Sequence, residues 1–108
     1  MRILLDACVP ERLGRFITGH EVQSVRVVFG TTDLDDGLLL ARAVASGFEA
    51  FVTVDKSLRY QQNLVNQPLR VVLLRAHSNA LEHLVPLVPT LQAALSEMEI
   101  GTVRVIGV

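Results

Sequence analysis

Cross-links and membrane anchors are the first features that this sequence lacks. Its 108 residues include a single cysteine, Cys8, so no internal disulfide can form. The apolar runs have the length of strands and fall short of the roughly 18 uncharged residues that a membrane helix needs. Arg2 is followed by only three apolar residues before Asp6, which is unlike a signal peptide. We therefore expect a soluble cytoplasmic protein, and the length predicts a single domain over residues 1–108.

An excess of basic charge and the common phosphate-binding loops are also missing. Ten Lys and Arg residues oppose eleven Asp and Glu residues, for a net charge of −1 at pH 7. Nucleic-acid-binding domains are usually basic, so composition alone does not predict that function. Gly14 and Gly19 lack the spacing of a P-loop or a dinucleotide-binding loop. Cys8 and Arg15 are one residue too far apart for the phosphate loop of a cysteine phosphatase.

What the sequence does contain is a regular alternation of short apolar runs with segments of helical spacing. We predict strands over residues 2–5, 21–25, 50–54, 70–74 and 102–106. Residues 10–18 are predicted to form a helix, residues 29–32 a loop, and residues 57–63 a short helix or an irregular segment. A second helix is capped by Asp33, Asp35 or Asp36 and runs to about residue 46.

The last helical region is predicted to have two pieces. Asn79 and Glu82 have the spacing of a capping box at its beginning. Pro86 and Pro89 should then break or kink the helix, and the second piece should reach about Met98.

This order of elements predicts the fold class. Strands that alternate with helices form βαβ units and a mostly parallel sheet, here of four or five strands. The strands over residues 50–54 and 70–74 are almost entirely apolar, as a sheet covered by helices on both faces requires. We therefore predict an α/β protein, a three-layer α/β/α sandwich.

Acidic residues follow two of the predicted strands. Asp6 comes directly after the first strand and Asp55 after the third. If these strands are neighbours, the two carboxylates meet at one edge of the sheet, where open α/β sheets bind ligands. Asp36, or Asp35 in its place, could face the same crevice from the second helix. Carboxylate oxygens of this kind suit Mg²⁺ or Mn²⁺.

Each of these acids also has an ordinary structural explanation. Asp6 could cap the helix that follows it, and Asp36 could be a simple helix N-cap. Asp55 could pair with Lys56 or Arg59. The single cysteine, Cys8, is interpreted as a small buried residue.

The order of motifs along nearly the whole chain resembles the PIN-like family of small bacterial nucleases and toxins. The resemblance lies in Ile3-Leu4-Leu5-Asp6, in Val9-Pro10 before a helix, and in His20-Glu21-Val22 before an Asp-led helix. It continues in Val52-Thr53-Val54-Asp55-Lys56-Ser57-Leu58, Tyr60-Gln61-Gln62-Asn63 and Leu74-Arg75-Ala76-His77-Ser78-Asn79. The resemblance implies a PIN-like sandwich with metal-dependent ribonuclease activity, often as the toxin of a toxin–antitoxin pair.

The resemblance also assigns roles to residues. The acids that bind metal and act in catalysis in the family correspond to Asp6, Asp36 and Asp55, with Mg²⁺ or Mn²⁺ as the cofactor. Candidate contacts to an RNA substrate are Lys56, Arg59, Gln62, Asn63 and Arg75. The partners implied are an antitoxin protein and a second copy of the chain, with the apolar residues 84–91 as a candidate dimer face, and no membrane.

Three positions depart from the family pattern. Ala7, Leu38 and Ser57 stand where relatives often carry an acid or an amide. A two-metal site needs enough negative charge to hold both ions, so the sequence predicts a weakened site. Two alternatives therefore remain: a binding module whose metal site has eroded, and a receiver-like domain in which an aspartate accepts a phosphoryl group.

Overall fold

Five parallel strands form one sheet with the order β2-β1-β3-β4-β5. The computed structural model describes residues 1–31, 34–56 and 67–107, and for Asp36 the backbone alone. The strands are β1 (Arg2–Leu5), β2 (Glu21–Ser24), β3 (Ala50–Thr53), β4 (Arg70–Arg75) and β5 (Val103–Gly107). The all-parallel sheet confirms the predicted α/β class, and the predicted strands agree with these bounds to within one residue at each end.

Helices connect the strands. A 3-10 helix over Glu11–Phe16 follows β1, α1 (Val25–Phe29) follows β2, and α2 (Asp36–Ala45) precedes β3. Between β4 and β5 lie α3 (Leu81–Leu84), a 3-10 turn (Val85–Leu87) and α4 (Val88–Glu97). The two helical pieces predicted around Pro86 and Pro89 are thus confirmed. The prediction for residues 57–63 lies outside the described residues.

Two separate apolar cores cover the two faces of the sheet. All four residues of β3 are buried, and their side chains alternate between the faces. Ala50 and Val52 join the core formed with the first 3-10 helix, α3 and α4. Phe51 joins the core formed with α1 and α2. The sheet therefore lies between two helical layers, as the sandwich prediction requires.

The short helix α1 was not predicted, because its valines resemble the end of a strand. Ser24 ends β2, and its hydroxyl accepts a hydrogen bond from the Val27 amide at 3.4 Å, which caps the new helix. Val25 is 2 % exposed and packs into the core. Tertiary packing and the serine cap thus outweigh the strand propensity of three valines. Gly30 ends the helix with a φ of 70°, a left-handed conformation suited to glycine.

The predicted capping box at residue 79 is wrong. The N-terminal flanking residue of α3 is Ala80, which makes no side-chain cap. Nδ2 of Asn79 instead donates a hydrogen bond to the carbonyl oxygen of Cys8 at 3.1 Å. A tertiary contact has therefore taken the side chain that the local pattern assigned to a cap.

The apolar residues of the predicted dimer face are divided between the core and the surface. Leu84 and Leu91 are fully buried and Val88 is 5 % exposed, all within the core under α3 and α4. The apolar residues between them are half-buried or exposed, so the role of residues 84–91 as a dimer face stays a prediction. Among the described residues, no helix is long and apolar enough to cross a lipid bilayer.

The fold leads to a prediction about Val52. This residue is fully buried in β3, so Val52→Asp would place an unpaired carboxylate in the core at a cost of several kcal/mol, and we expect the domain to unfold. Val27→Asp is the matched control, because Val27 is 65 % exposed on α1. Thermal melting followed by circular dichroism measures both. A cooperative melt of the Val52 variant near the wild-type temperature would contradict the strand assignment.

Candidate functional site

The order of strands in the sheet reverses between β1 and β3, and this point brings two acids together. The chain passes from β1 outward to β2 and then returns to β3 on the other side of β1. Ligands in open parallel sheets bind beyond the carboxyl ends of strands at such a point. Asp6 and Asp55 follow these two strand ends, and both line one pocket of about 410 Å³. The predicted convergence of the two residues is therefore confirmed.

Hydrogen bonds orient the carboxylate of Asp6. Oδ1 accepts the amide N–H of Ala7 at 2.8 Å, and Oδ2 accepts the hydroxyl of Thr53 at 2.7 Å. The backbone amide of Asp6 donates to the carbonyl oxygen of Val52 at 2.9 Å, so the residue continues the ladder between β1 and β3. The first 3-10 helix is flanked by Pro10 rather than Asp6, so Asp6 does not act as its cap.

Thr53 links the two acids. It is fully buried and is the only residue of β3 with a polar side chain. Its Oγ1 accepts the backbone N–H of Asp55 at 3.0 Å, which leaves its own hydrogen for Oδ2 of Asp6. One hydroxyl thus holds the side chain of the first acid and the backbone of the second. Apart from its place as the one polar residue in an apolar strand, the sequence gives no sign of this role.

The thiol of Cys8 adds a third polar contact. Sγ lies 3.6 Å from Oδ2 of Asp6 and 3.7 Å from Oγ1 of Thr53. Burial raises the pKa of the Cys8 thiol, a hydrogen bond with Val54 lowers it, and the nearby charge of Asp6 raises it further. The raised pKa keeps the thiol protonated at neutral pH, so it can donate to Asp6. A reactive thiolate is therefore not expected here.

The third predicted acid, Asp36, is the first residue of α2. Leu34 and Leu39, which lie near it in sequence, line the pocket with Asp6 and Asp55. The side chain of Asp36 is outside the part of the chain that the structure describes. Asp35, the alternative, is the N-cap of α2: its Oδ1 accepts the Leu38 amide at 2.8 Å.

Basic residues flank the acids on both sides. Lys56 and Arg75, both predicted substrate contacts, line a neighbouring pocket of about 270 Å³ that shares Val54 with the acidic one. On the other side, Arg12 and Arg26 line a pocket of about 450 Å³ that also contains Asp6. No pattern in the sequence points to Arg26, because the helix α1 that carries it was not predicted. Arg59, Gln62 and Asn63 lie outside the described residues.

The carboxylate ligands of this pocket suit a hard cation, but they are few. Carboxylate oxygens suit Mg²⁺ and Mn²⁺, and Mg²⁺ is often held by one or two carboxylates together with substrate phosphates. Within residues 1–31, 34–56 and 67–107, and without the side chain of Asp36, no group of three His, Cys, Asp or Glu residues could hold a metal ion. Ala7 lines the two pockets of about 410 Å³ and 450 Å³ described above, and Leu38 is not among the described residues that line them. The third departure, Ser57, is outside the described residues.

Comparisons with family models, with curated proteins and with solved structures find no match to this chain. The PIN-like resemblance and the nuclease activity that it implies therefore stay predictions. What the structure supplies is the geometry of the two acids and of the basic residues beside them.

The network around Thr53 leads to a stability prediction. Thr53→Val keeps the shape of the side chain but removes the hydrogen-bond partner of both the Asp6 carboxylate and the Asp55 amide. We expect a loss of about 1–3 kcal/mol in the free energy of unfolding, because buried polar groups lose their partners. Urea denaturation measures the loss, and Thr53→Ser, which keeps the hydroxyl, should recover most of it. Equal stability of the valine variant and the wild type would show that the network contributes nothing.

Proposed function

We propose that this protein is a metal-dependent phosphodiesterase that cleaves RNA. The observation that supports the proposal most strongly is that Asp6 and Asp55 line one pocket at the point where the strand order reverses. Asp36, the first residue of α2, is the third acid of the proposed site. A bound Mg²⁺ or Mn²⁺ would polarise a phosphate oxygen and promote the ionisation of a water molecule.

In this proposal the acids would hold the metal ion and the basic residues would bind the substrate. Asp6 presents a carboxylate whose orientation is set by Ala7 and Thr53. Asp55 is held at its backbone by the same threonine, so the two acids keep a fixed relation. Lys56 and Arg75 would bind the phosphate backbone beside them, since basic side chains position nucleic acids through phosphate contacts. Arg59, Gln62 and Asn63 complete the proposed substrate contacts.

The small number of acids sets an expectation for the activity. Two-metal phosphodiesterases stabilise both the attacking and the leaving oxygen. With Ala7 beside Asp6, this site would hold at most one ion tightly. We expect slow cleavage that favours Mn²⁺ over Mg²⁺, because Mg²⁺ gives up its water ligands reluctantly.

The resemblance to PIN-like toxins extends the proposal to the protein's biological setting. A cytoplasmic toxin of this kind would act on RNA, bind an antitoxin protein, and form a homodimer. The half-buried and exposed apolar residues of the segment 84–91 remain the candidate dimer face.

A receiver-like phosphoacceptor is the second candidate, and the sheet topology favours it. The order β2-β1-β3-β4-β5 is also that of receiver domains, with an aspartate after β3. Such domains usually carry paired acids after β1 and a lysine after the last strand, whereas Ala7 follows Asp6 and β5 has no lysine. Transfer of a phosphoryl group from acetyl phosphate to Asp55 would favour this candidate over the nuclease.

The proposal predicts a metal effect on stability and on RNA. Millimolar Mn²⁺ should raise the melting temperature, since a ligand at 100 times its Kd stabilises a fold by about 2.7 kcal/mol. The same ion should permit cleavage of a labelled single-stranded oligoribonucleotide. Asp6→Asn should lose both effects, and Glu99→Gln, which removes an exposed acid elsewhere, should keep both.

Two results would contradict this prediction. Equal cleavage by wild type and Asp6→Asn would indicate a contaminating nuclease. No Mn²⁺ effect on melting of the wild type would leave a non-catalytic binding module as the better interpretation.

A gain-of-function variant tests the weakened site directly. Ala7 is exposed and lines the acidic pocket, so Ala7→Glu should add a carboxylate beside Asp6 and strengthen Mn²⁺ binding. Ala7→Gln has nearly the same shape without the charge and should not. Isothermal titration with MnCl₂ compares the two variants. Identical affinities would mean that position 7 does not face the ion.

A further inference from the structure

A pocket of about 270 Å³ lies beyond the carboxyl ends of β3 and β4, and its lining is basic and polar. The described residues that line it include no acid: they are Val54, Lys56, Leu74, Arg75, Ala76, His77, Ser78 and Asn79. Across the described part of the chain, neither Lys56 nor Arg75 forms an ion pair. The two cationic groups are thus available to an anion from outside the chain.

The loop that follows β4 is fixed by a chain of contacts. Ser78 Oγ accepts the backbone N–H of Ala80 at 3.0 Å, and the same oxygen forms a hydrogen bond of 2.6 Å with Nδ1 of His83. The ring of His83 in turn meets the ring of His77 edge to face, with the ring centroids 5.4 Å apart and the planes at 84°. Ser78 and His83 therefore position the imidazole of His77 beside the pocket.

A second contact ties the same loop to the acidic site. The Asn79 side chain donates its hydrogen bond to the Cys8 carbonyl oxygen, two residues from Asp6. The basic pocket and the acidic pocket also share Val54. Because neighbouring strands are only about 4.8 Å apart, an anion in the basic pocket would lie next to a group bound between Asp6 and Asp55.

We propose that the pocket formed by Lys56, Arg75 and His77 binds a phosphate group. Arginine offers a planar fork to phosphate oxygens, lysine a compact charge, and the imidazole a further N–H donor. His77 is a substrate-binding residue that the sequence did not suggest, and Ser78 and His83 are positioning residues. The inference rests on the proposed function for the source of the phosphate, which is the nucleotide beside the reacting one. That phosphate is either an internal phosphodiester or a terminal phosphomonoester.

The experiment measures binding of a 3′-labelled single-stranded oligoribonucleotide by fluorescence anisotropy in EDTA, so that cleavage plays no part. One arm uses RNA with a 5′-phosphate and the other RNA with a 5′-hydroxyl, and inorganic phosphate serves as a competitor. Tighter binding of the 5′-phosphate arm assigns the pocket to a terminal phosphate. Equal binding of the two arms, lost together in the variants, assigns it to the backbone.

The test compares the RNA affinity of Arg75→Ala and His77→Ala with that of the wild type. Loss of one phosphate contact lowers the slope of log affinity against log salt by about 0.7 for a single strand, and we expect that change for Arg75→Ala. Charge-assisted hydrogen bonds to phosphate are the stronger kind, so we expect about tenfold weaker binding for the same variant. His77→Ala should also weaken binding, and His77→Gln, which keeps an N–H donor, should restore part of it. Arg15→Ala is the control. Arg15 is an exposed residue of the first 3-10 helix and does not line the pocket, so its substitution removes the same charge at a different place.

The outcomes separate this inference from the proposed function. The phosphate pocket would be overturned if Arg75→Ala and His77→Ala both kept the wild-type affinity and salt slope. It would also be overturned if Arg15→Ala and Arg75→Ala weakened binding equally, even if the protein cleaves RNA. Failure of the wild type to bind RNA or phosphate would overturn it as well. Binding that depends on Arg75 and His77, without any Mn²⁺-dependent cleavage, would support the pocket and overturn the nuclease. Melting temperatures of all variants show whether each is folded.

Discussion

The hydrogen bonds of the Thr53 hydroxyl hold the candidate site together. They connect the end of β1 to β3 at the point where the order of the strands reverses, and Thr53 is the one polar residue of β3. The buried hydroxyl needs both a donor and an acceptor, and Asp55 and Asp6 supply them. The arrangement of the two acids thus follows from a requirement of the core. Asp6, held in this way, lines the pocket together with Asp55.

Much of the fold was predictable because a parallel sheet leaves a clear pattern in the sequence. Strands covered on both faces must be almost wholly apolar, so the apolar runs at residues 50–54 and 70–74 can be recognised as buried strands. Acids that interrupt such runs mark the carboxyl ends, which is why Asp6 and Asp55 could be selected. The two acids converge only if β1 and β3 are neighbours, and the sequence did not show this. In the structure β1 and β3 are paired.

The rest could not be predicted, because it depends on contacts between distant segments. Asn79 has the local pattern of a helix cap, yet its side chain binds the backbone of Cys8, 71 residues away in sequence. The valines of α1 favour a strand, so the sequence does not predict this helix or the position of Arg26, which lines a pocket beside Asp6. His77 has no recognised spacing to any partner, and only its contact with the ring of His83 beside the basic pocket gives it a role. Residues with an isolated polar group in an apolar strand, such as Thr53, are the one class that a closer analysis of the sequence could have found.

The central claim is that Asp6 and Asp55 form one cation site. Electron paramagnetic resonance of free Mn²⁺ measures binding directly in the wild type, in Asp6→Asn, in Asp55→Asn and in the double variant. If the two carboxylates share one ion, each single variant loses most of the affinity and the double variant loses little more, a strongly non-additive result. If each single variant keeps near wild-type affinity, or if the two losses simply add, the carboxylates do not act on a common ion and the account is wrong.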